Sequence, residues 1–285
     1  MQLKLFRHMW GVPESPAECF GRFARNGYHG IEAVPPAEGA EHDALVEQLA
    51  AHRFDFIAQI HSFDHDGPAE PSVAAHIDRF GRLVKLAASY RPLMINAHSG
   101  FDGWTLDQAT DYFTQALAIE KQFGIPIAHE THRKCVFYNP WSTRAIVEQF
   151  TDLKLCADFS HWVNVCERLI DDQLDIIRLC ATRTIHLHTR VGFCEGPQVP
   201  DPRSPHYAPE LAAHERWWDH VWDAQQQRGM AVTSLVPEFG PPPYLHVHPG
   251  TQQPLADLDA VCNWMAQRQA ERFTARNSPG SPAPR

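Results

Sequence analysis

No apolar run in this 285-residue chain reaches the roughly 20 residues that a membrane-spanning helix requires. The seven cysteines are odd in number and none stands in C-x-x-C spacing, which argues against a disulfide framework or a structural zinc knuckle and leaves most of them as small buried hydrophobes. Basic charge is scarce. With 25 Lys and Arg against 34 Asp and Glu, the net charge is -9, which disfavours a protein whose affinity comes from neutralising phosphates, although a local basic cleft is compatible with an acidic chain. No glycine-rich phosphate loop is visible, nor any internal repeat longer than a strand and its helix. The start, MQLKLFRHMWGV, lacks the apolar stretch and small-residue cleavage site of a signal peptide and reads as a first strand, so a cytoplasmic protein is expected.

What is present points to a globular chain, 44% hydrophobic and 21% charged, long enough for one large core. Strand-like runs alternate with amphipathic stretches: residues 3–12, 30–34, 54–63, 93–99, 125–131, 153–159, 183–189 and 231–238 read as strands, separated by segments such as TLDQATDYFTQALAIEKQFG that close on glycine as helices often do. Eight such units predict an α/β protein, a single-domain (β/α)8 TIM barrel of parallel strands. It is expected over residues 1–267, with residues 268–285 as a C-terminal tail, partly disordered because NSPGSPAPR is too rich in Pro, Ser and Gly to fold. Trp217, Trp218 and Trp222 lie about a helical turn apart and suit packing against the barrel or a partner subunit. Two proline-rich segments, residues 191–207 and 239–254, follow the last two strands and would hang over the barrel mouth.

Histidine is the oddity, at 18 residues. Six apolar runs, AQIHSFD, MINAHSG, IAHETHR, LCADFSHW, TIHLHTR and SLVPEFG, each end on an acid or an imidazole, which is how a parallel barrel presents a catalytic ion at the C-terminal rim of its strands. Side chains two apart share a strand face, so Gln59 pairs with His61, Asn96 with His98, Cys156 with Asp158, His186 with His188 and Val236 with Glu238. The same count turns Glu130 inward, followed by His132, and His129 outward. Glu130, Asp158 and Glu238 at one mouth would repel one another unless a cation neutralised them. With His188 they form a donor set for one divalent ion, Mn, Co, Mg or Zn, the oxygen-rich composition leaning toward the harder ions. Asp64, His65, His246 and His248 read as loop residues without a role.

In this order HETHR, DFSHW, HLHTR and PEFG resemble the xylose-isomerase-like TIM-barrel superfamily, the sugar phosphate isomerase/epimerase group related to ketose 3-epimerases and endonuclease IV. The resemblance covers the chain to about Gln267. It implies Glu130, Asp158, His188 and Glu238 as metal ligands, with Glu130 and Glu238 facing opposite sides of a substrate carbon to remove and return a proton through a metal-stabilised enediolate, and His161 contacting substrate oxygens as a further catalytic group. His61, His98, His132 and His186 are expected at the substrate, and Arg133 and Arg190 to hold a substrate carboxylate or phosphate. His61 and His98 also match positions of zinc-binding histidines in endonuclease IV, where with Glu130 they imply a second ion. That enzyme's third-metal pair is not reproduced, since Asp201 is followed by Arg203 in DPR.

The expected activity is a divalent-metal-dependent isomerase or epimerase of a small sugar, sugar phosphate or polyol-derived keto compound. A dehydratase of the inosose or dehydroshikimate type at the same site, an endonuclease IV-like phosphodiester hydrolase, and a non-catalytic barrel that has kept the ligands are the alternatives. A small carbohydrate-like partner is expected, with no membrane and no nucleic acid, and barrels of this type are often homodimers or homotetramers.

Overall fold

The computed structural model describes residues 1–64 and 67–278. Strands β1 (Gln2–His8), β2 (Gly30–Ala33), β3 (Asp55–His61), β4 (Met94–His98), β5 (Ile127–Glu130), β6 (Lys154–Ala157), β7 (Thr184–His188) and β8 (Val232–Val236) alternate with helices α1 (Pro16–Arg25), α2 (Ala40–His52), α3 (Val73–Ser89), α4 (Leu106–Phe123), α5 (Pro140–Gln149), α6 (Phe159–Cys166), α7 (Leu174–Ala181), α8 (Ala208–Gln227) and α9 (Leu258–Arg276). All strand pairs are parallel and the sheet closes from β8 back to β1, so the expected (β/α)8 barrel is the fold. The strands are shorter than the sequence suggests. Their apolar runs continue into rim residues such as Thr131 and Phe159 that bury their side chains after the ladder has ended.

Local sequence sets the helix ends. Ser72, Thr105, Asn139 and Asp257 each accept a backbone N–H of the following turn, satisfying donors that a helix start leaves open. Gly124 closes α4 in the left-handed region, at φ 66°, where a side chain would be strained. The C-terminal boundary differs from the expected one. Helix α9 runs without interruption across residue 267 to Arg276, because Phe273 is buried against Trp222 and Arg272 pairs with Asp219 of α8. The expected tail is therefore helical as far as Arg276, and residues 279–285 lie outside the described residues, as does His65.

Trp217, Trp218 and Trp222 are at most 1% exposed. They pack inside the chain, Trp217 edge-on to Phe159 of α6 and Trp222 edge-on to Phe273 of α9. That leaves them no surface for a partner subunit. Among the described residues no helix is long and apolar enough to cross a membrane.

Inside the barrel, Phe6, Ile57, Met94 and Val236 form a compact apolar cluster. Strand alternation then stacks polar residues on the same inward faces toward the C-terminal rim: His8 after Phe6, Gln59 and His61 after Ile57, Asn96 and His98 after Met94. Parallel register sets His61 beside His98 and His8 beside Glu32. Phe6, Ile57 and Met94 are the floor on which the polar layers stand, while Val236 lies in register with His188 nearer the rim. Trp222→Ala is expected to lower stability by about 3–5 kcal/mol, as for a large aromatic lost from a closed core. Urea unfolding at two protein concentrations should give the same loss at both, since the contact lies within one chain.

Candidate metal centre

Four strand ends deliver the expected donor set to one point. Glu130 is the last residue of β5, Asp158 follows β6, His188 ends β7 and Glu238 lies two residues past β8, and one ligand atom from each lies within 4.8 Å of the others. Glu130, Asp158 and His188 are fully buried and Glu238 is 5% exposed. His188 turns Nδ1 toward the carboxylates, 3.1 Å from Glu238 Oε2 and 3.6 Å from Glu130 Oε1. Neither His188 Nδ1 nor Glu130 Oε1 makes a hydrogen bond among the described residues. Two orphaned buried donors facing each other, in a set with the spacing of a coordination sphere, fit a divalent cation. A site of three oxygens and one nitrogen suits Mg, Mn, Co or Zn.

The electrostatics point the same way. Burial pushes the Asp158 carboxyl up to about 6 against the pull of Arg190. Burial also opposes charge on Glu130, yet His98 and His188 hold it well below the usual carboxylate range. The cost of burial on His188 is outweighed by the surrounding Glu238, Glu32 and Glu130, which raise its pKa well above that of a free imidazole. Negative charge is in excess here, and the neighbouring groups compensate it by taking up protons.

One acid in this group comes from β2. Glu32, 1% exposed, accepts from His188 Nε2 at 3.1 Å, from His186 Nε2 at 3.0 Å and from Asn96 Nδ2 at 2.8 Å. Its carboxyl is held well below the usual range, because His188 and hydrogen bonds from both imidazoles outweigh burial. The alternation that singles out the other rim residues also applies to GIEA, and Gly30 with Glu32 would have been read inward by it. The run carries no terminal acid to mark it, because it continues past Glu32 to Ala33.

Arg190 is the second departure. It is buried and already paired with acids, although it still lines the cavity over the donor set. Its Nη2 lies 2.5 Å from Asp158 Oδ2 and 2.5 Å from His161 Nε2, and its Nη1 lies 3.2 Å from Glu238 Oε2. A guanidinium cannot accept, so His161 accepts through Nε2. His161 is thus a positioning partner of Arg190, fully buried on α6. Asp158 has a similar double duty, since it also caps α6 by accepting from Ser160 N and Oγ.

His186 is likewise removed from any substrate. It is fully buried, with Nδ1 against Ser234 Oγ at 2.7 Å and Nε2 on Glu32. The other expected substrate residues, His61, His98, His132, Arg133 and Arg190, do line a cavity of about 860 Å³ over the donor set, with Gln59, Asp64, Glu238, Tyr244, Trp10 and others. His61, His98, His132 and His161 stand ring to ring, with centroids 4.4, 4.2 and 4.0 Å apart in succession. The second donor group differs from the expected one. His98, Glu130 and His132 come within range of a shared ion, while His61 is not part of that group. Asp201 and Arg203 pair with each other at 2.7 Å.

Of the two proline-rich segments, the later one supplies cavity wall, through Pro242, Pro243 and Tyr244. The earlier one braces it: Gln198 accepts from Gly240 N at 2.7 Å and donates to Gly240 O. Gly240 is required there, because a Cβ would stand 2.1 Å from the Trp10 ring.

Residues 20–192, more than half of the chain, match the family described as xylose isomerase-like TIM barrel. The chain belongs to that family. No curated protein gives a significant match. Three solved structures share the xylose isomerase-like fold at low identity. A xylose isomerase-like TIM-barrel protein from Mycobacterium smegmatis, in complex with magnesium, is 13% identical with TM-score 0.64, covering 95% of this chain and 97% of its own. The probable 3-DHS dehydratase AsbF of Bacillus anthracis is 14% identical with TM-score 0.62, covering 94% and 99%. The 3-keto-D-glucoside 4-epimerase YcjR of E. coli is 11% identical with TM-score 0.56, covering 95% and 100%.

Within this member of the family, the Glu32 carboxylate fixes the ring of His188 so that Nδ1 faces the acids. Glu32→Gln is expected to weaken divalent-ion binding by about 10–100-fold, the usual cost of losing a carboxylate behind a ligating imidazole. Titration calorimetry with Mn²⁺ on the two proteins checks it, and equal affinities would show that His188 needs no such support.

Proposed function

We propose that this protein is a divalent-metal-dependent isomerase or epimerase that moves a proton at the carbon beside the carbonyl of a small polyhydroxylated compound. The observation that carries the reading is the convergence of Glu130, Asp158, His188 and Glu238 within 4.8 Å beneath a cavity of about 860 Å³. Those four residues would hold the ion. A bound divalent ion supplies Lewis acidity, polarising a carbonyl oxygen where negative charge develops.

The chain's own groups divide the rest of the work. Glu238 is the one member of the donor set that lines the cavity, so it is the carboxylate able to reach a substrate C–H and take its proton. Arg190, with Nη1 3.2 Å from Glu238 Oε2, holds that carboxylate in place. Glu130 is screened behind His98, which donates to its Oε2 at 2.8 Å. His98 and Gln59, whose side chains meet at 3.3 Å, line the other side of the cavity floor. Trp10, Pro242, Pro243 and Tyr244 roof the space and limit water.

A second reading, dehydration, draws support from the same asymmetry. One accessible carboxylate suffices to remove a proton, and a hydroxyl on the next carbon can then leave. The relatedness in fold to the B. anthracis dehydratase and the E. coli epimerase is compatible with both. Phosphodiester hydrolysis receives less support, since His61 lies outside the second donor group and the chain is net acidic.

Both readings begin with C–H cleavage, so solvent isotope exchange tests them without knowledge of the product. Protein loaded with Mn²⁺ or Mg²⁺ in D2O is expected to exchange the carbon-bound hydrogen of at least one ketose, keto-glycoside or keto acid, followed by NMR. Glu238→Gln should slow that exchange by about 10²–10⁴-fold, the contribution of a positioned base. A folded, metal-loaded protein that exchanges nothing across such a panel would refute the reading.

A further inference from the structure

Four cationic side chains line the cavity, Arg79, Arg133, Lys134 and Arg190, against two acids, Asp64 and Glu238. Arg190 is already neutralised by Asp158 and Glu238. Arg79, Arg133 and Lys134 have no carboxylate partner among the described residues. In a chain of net charge -9, three unneutralised cations in one concave wall are a local reversal of sign, and a cavity with low-dielectric walls focuses such a field.

These cations are also held in place. The Arg133 guanidinium lies 4.8 Å from the centroid of the Tyr244 ring, and the same ring receives Arg190 at 5.2 Å. Stacking a planar guanidinium on an aromatic face leaves its N–H edge free for in-plane acceptors. Tyr244 is itself fixed edge-on by Trp10, at 4.9 Å. Lys134 has φ 68°, the left-handed region that a lysine adopts at a cost. The turn is fixed on both sides, since Cys135 N donates to His132 O and Val136 N to Ser99 O. From α3, Arg79 commits Nε to His61 O at 3.2 Å, which orients its two terminal nitrogens without occupying them.

We infer that Arg79, Arg133 and Lys134 form an anion subsite in the cavity wall, and that the compound this protein acts on carries a carboxylate or a phosphate. The chemistry shared by both is a set of oxygens in the geometry of a guanidinium fork. For the word substrate the inference rests on the proposed function; for the binding itself it does not.

The test compares one carbon skeleton in three charge states, D-glucose, D-glucuronate and D-glucose 6-phosphate, with inorganic phosphate alone as a fourth probe, by calorimetry in phosphate-free buffer. Metal-stripped and Mn²⁺-loaded protein are both used. At least one of the two charged sugars is expected to bind about tenfold or more tightly than D-glucose on both forms, the worth of one charge-assisted hydrogen bond. The preferred one distinguishes carboxylate from phosphate, and competition by inorganic phosphate shows that the anion alone is recognised. The double variant Arg133→Gln/Lys134→Gln should abolish the preference while leaving Mn²⁺ stoichiometry unchanged. If it does not fold, Arg79→Gln, on a different element, should reduce the preference. Equal binding of charged and neutral sugars by the wild type, or a preference that survives the substitutions, overturns the subsite. Anion binding without C–H exchange would contradict the proposed function and keep the subsite; exchange confined to neutral sugars would do the reverse.

Discussion

Four carboxylates, Glu32, Glu130, Asp158 and Glu238, are crowded at the C-terminal end of this barrel around His188 and the guanidinium of Arg190. Buried acids in such number are tolerated only where positive charge is brought to them. Arg190 reaches two of the four, and His188 lies between Glu32 below and the other three above. The remaining imbalance is what a divalent cation at the proposed site would neutralise. The same imbalance explains why neighbouring elements are organised around it: α6 starts on Asp158, Asn96 bridges Glu32 and Glu130 at 2.8 and 2.7 Å, and His161 is spent on Arg190.

The barrel makes this possible by separating tasks along each strand. Phe6, Ile57 and Met94 seal the floor, a middle level of Asn96, His186, Ser234 and Glu32 orients what lies above, and the rim carries the donors. A polar middle level is costly to assemble, but its hydrogen bonds fix ring orientation in a way an apolar layer could not. The cavity above is asymmetric. Glu238 and a wall of cations face it, while Glu130 stands behind His98, so the charged groups on the cavity come from α3 and from the loops after β3, β5, β7 and β8.

Much of this was legible in the letters. The eight-fold alternation and the inward positions of Glu130, His188 and His98 follow from period-two counting on runs that end in an acid or imidazole, and Asp158 follows from the same count one residue beyond its strand. Glu32 obeys the same rule but sits inside a short run, where no terminal acid singles it out. Arg190 was seen without its partners, because a residue two positions past β7 gives no sign of whether it points to solvent or back to Asp158 and Glu238. His186 and His161 are inward or buried as their runs suggest, but the groups that pair with them, the Glu32 carboxylate for His186 and the Arg190 guanidinium for His161, come from other strand–helix units that local sequence does not reveal. The helical course of α9 past residue 267 depends on Trp222 and Asp219, again long-range contacts that local composition does not encode.

The central claim is that the rim acids and His188 share one cation. Anomalous diffraction from crystals soaked in Mn²⁺ tests it most directly. The account predicts a single strong peak about 2.0–2.4 Å from Glu130, Asp158, His188 Nδ1 and Glu238, the range of divalent-ion coordination. A crystal with no peak there, or a peak held by other side chains while Glu130 and His188 Nδ1 remain apart from it, would contradict the account.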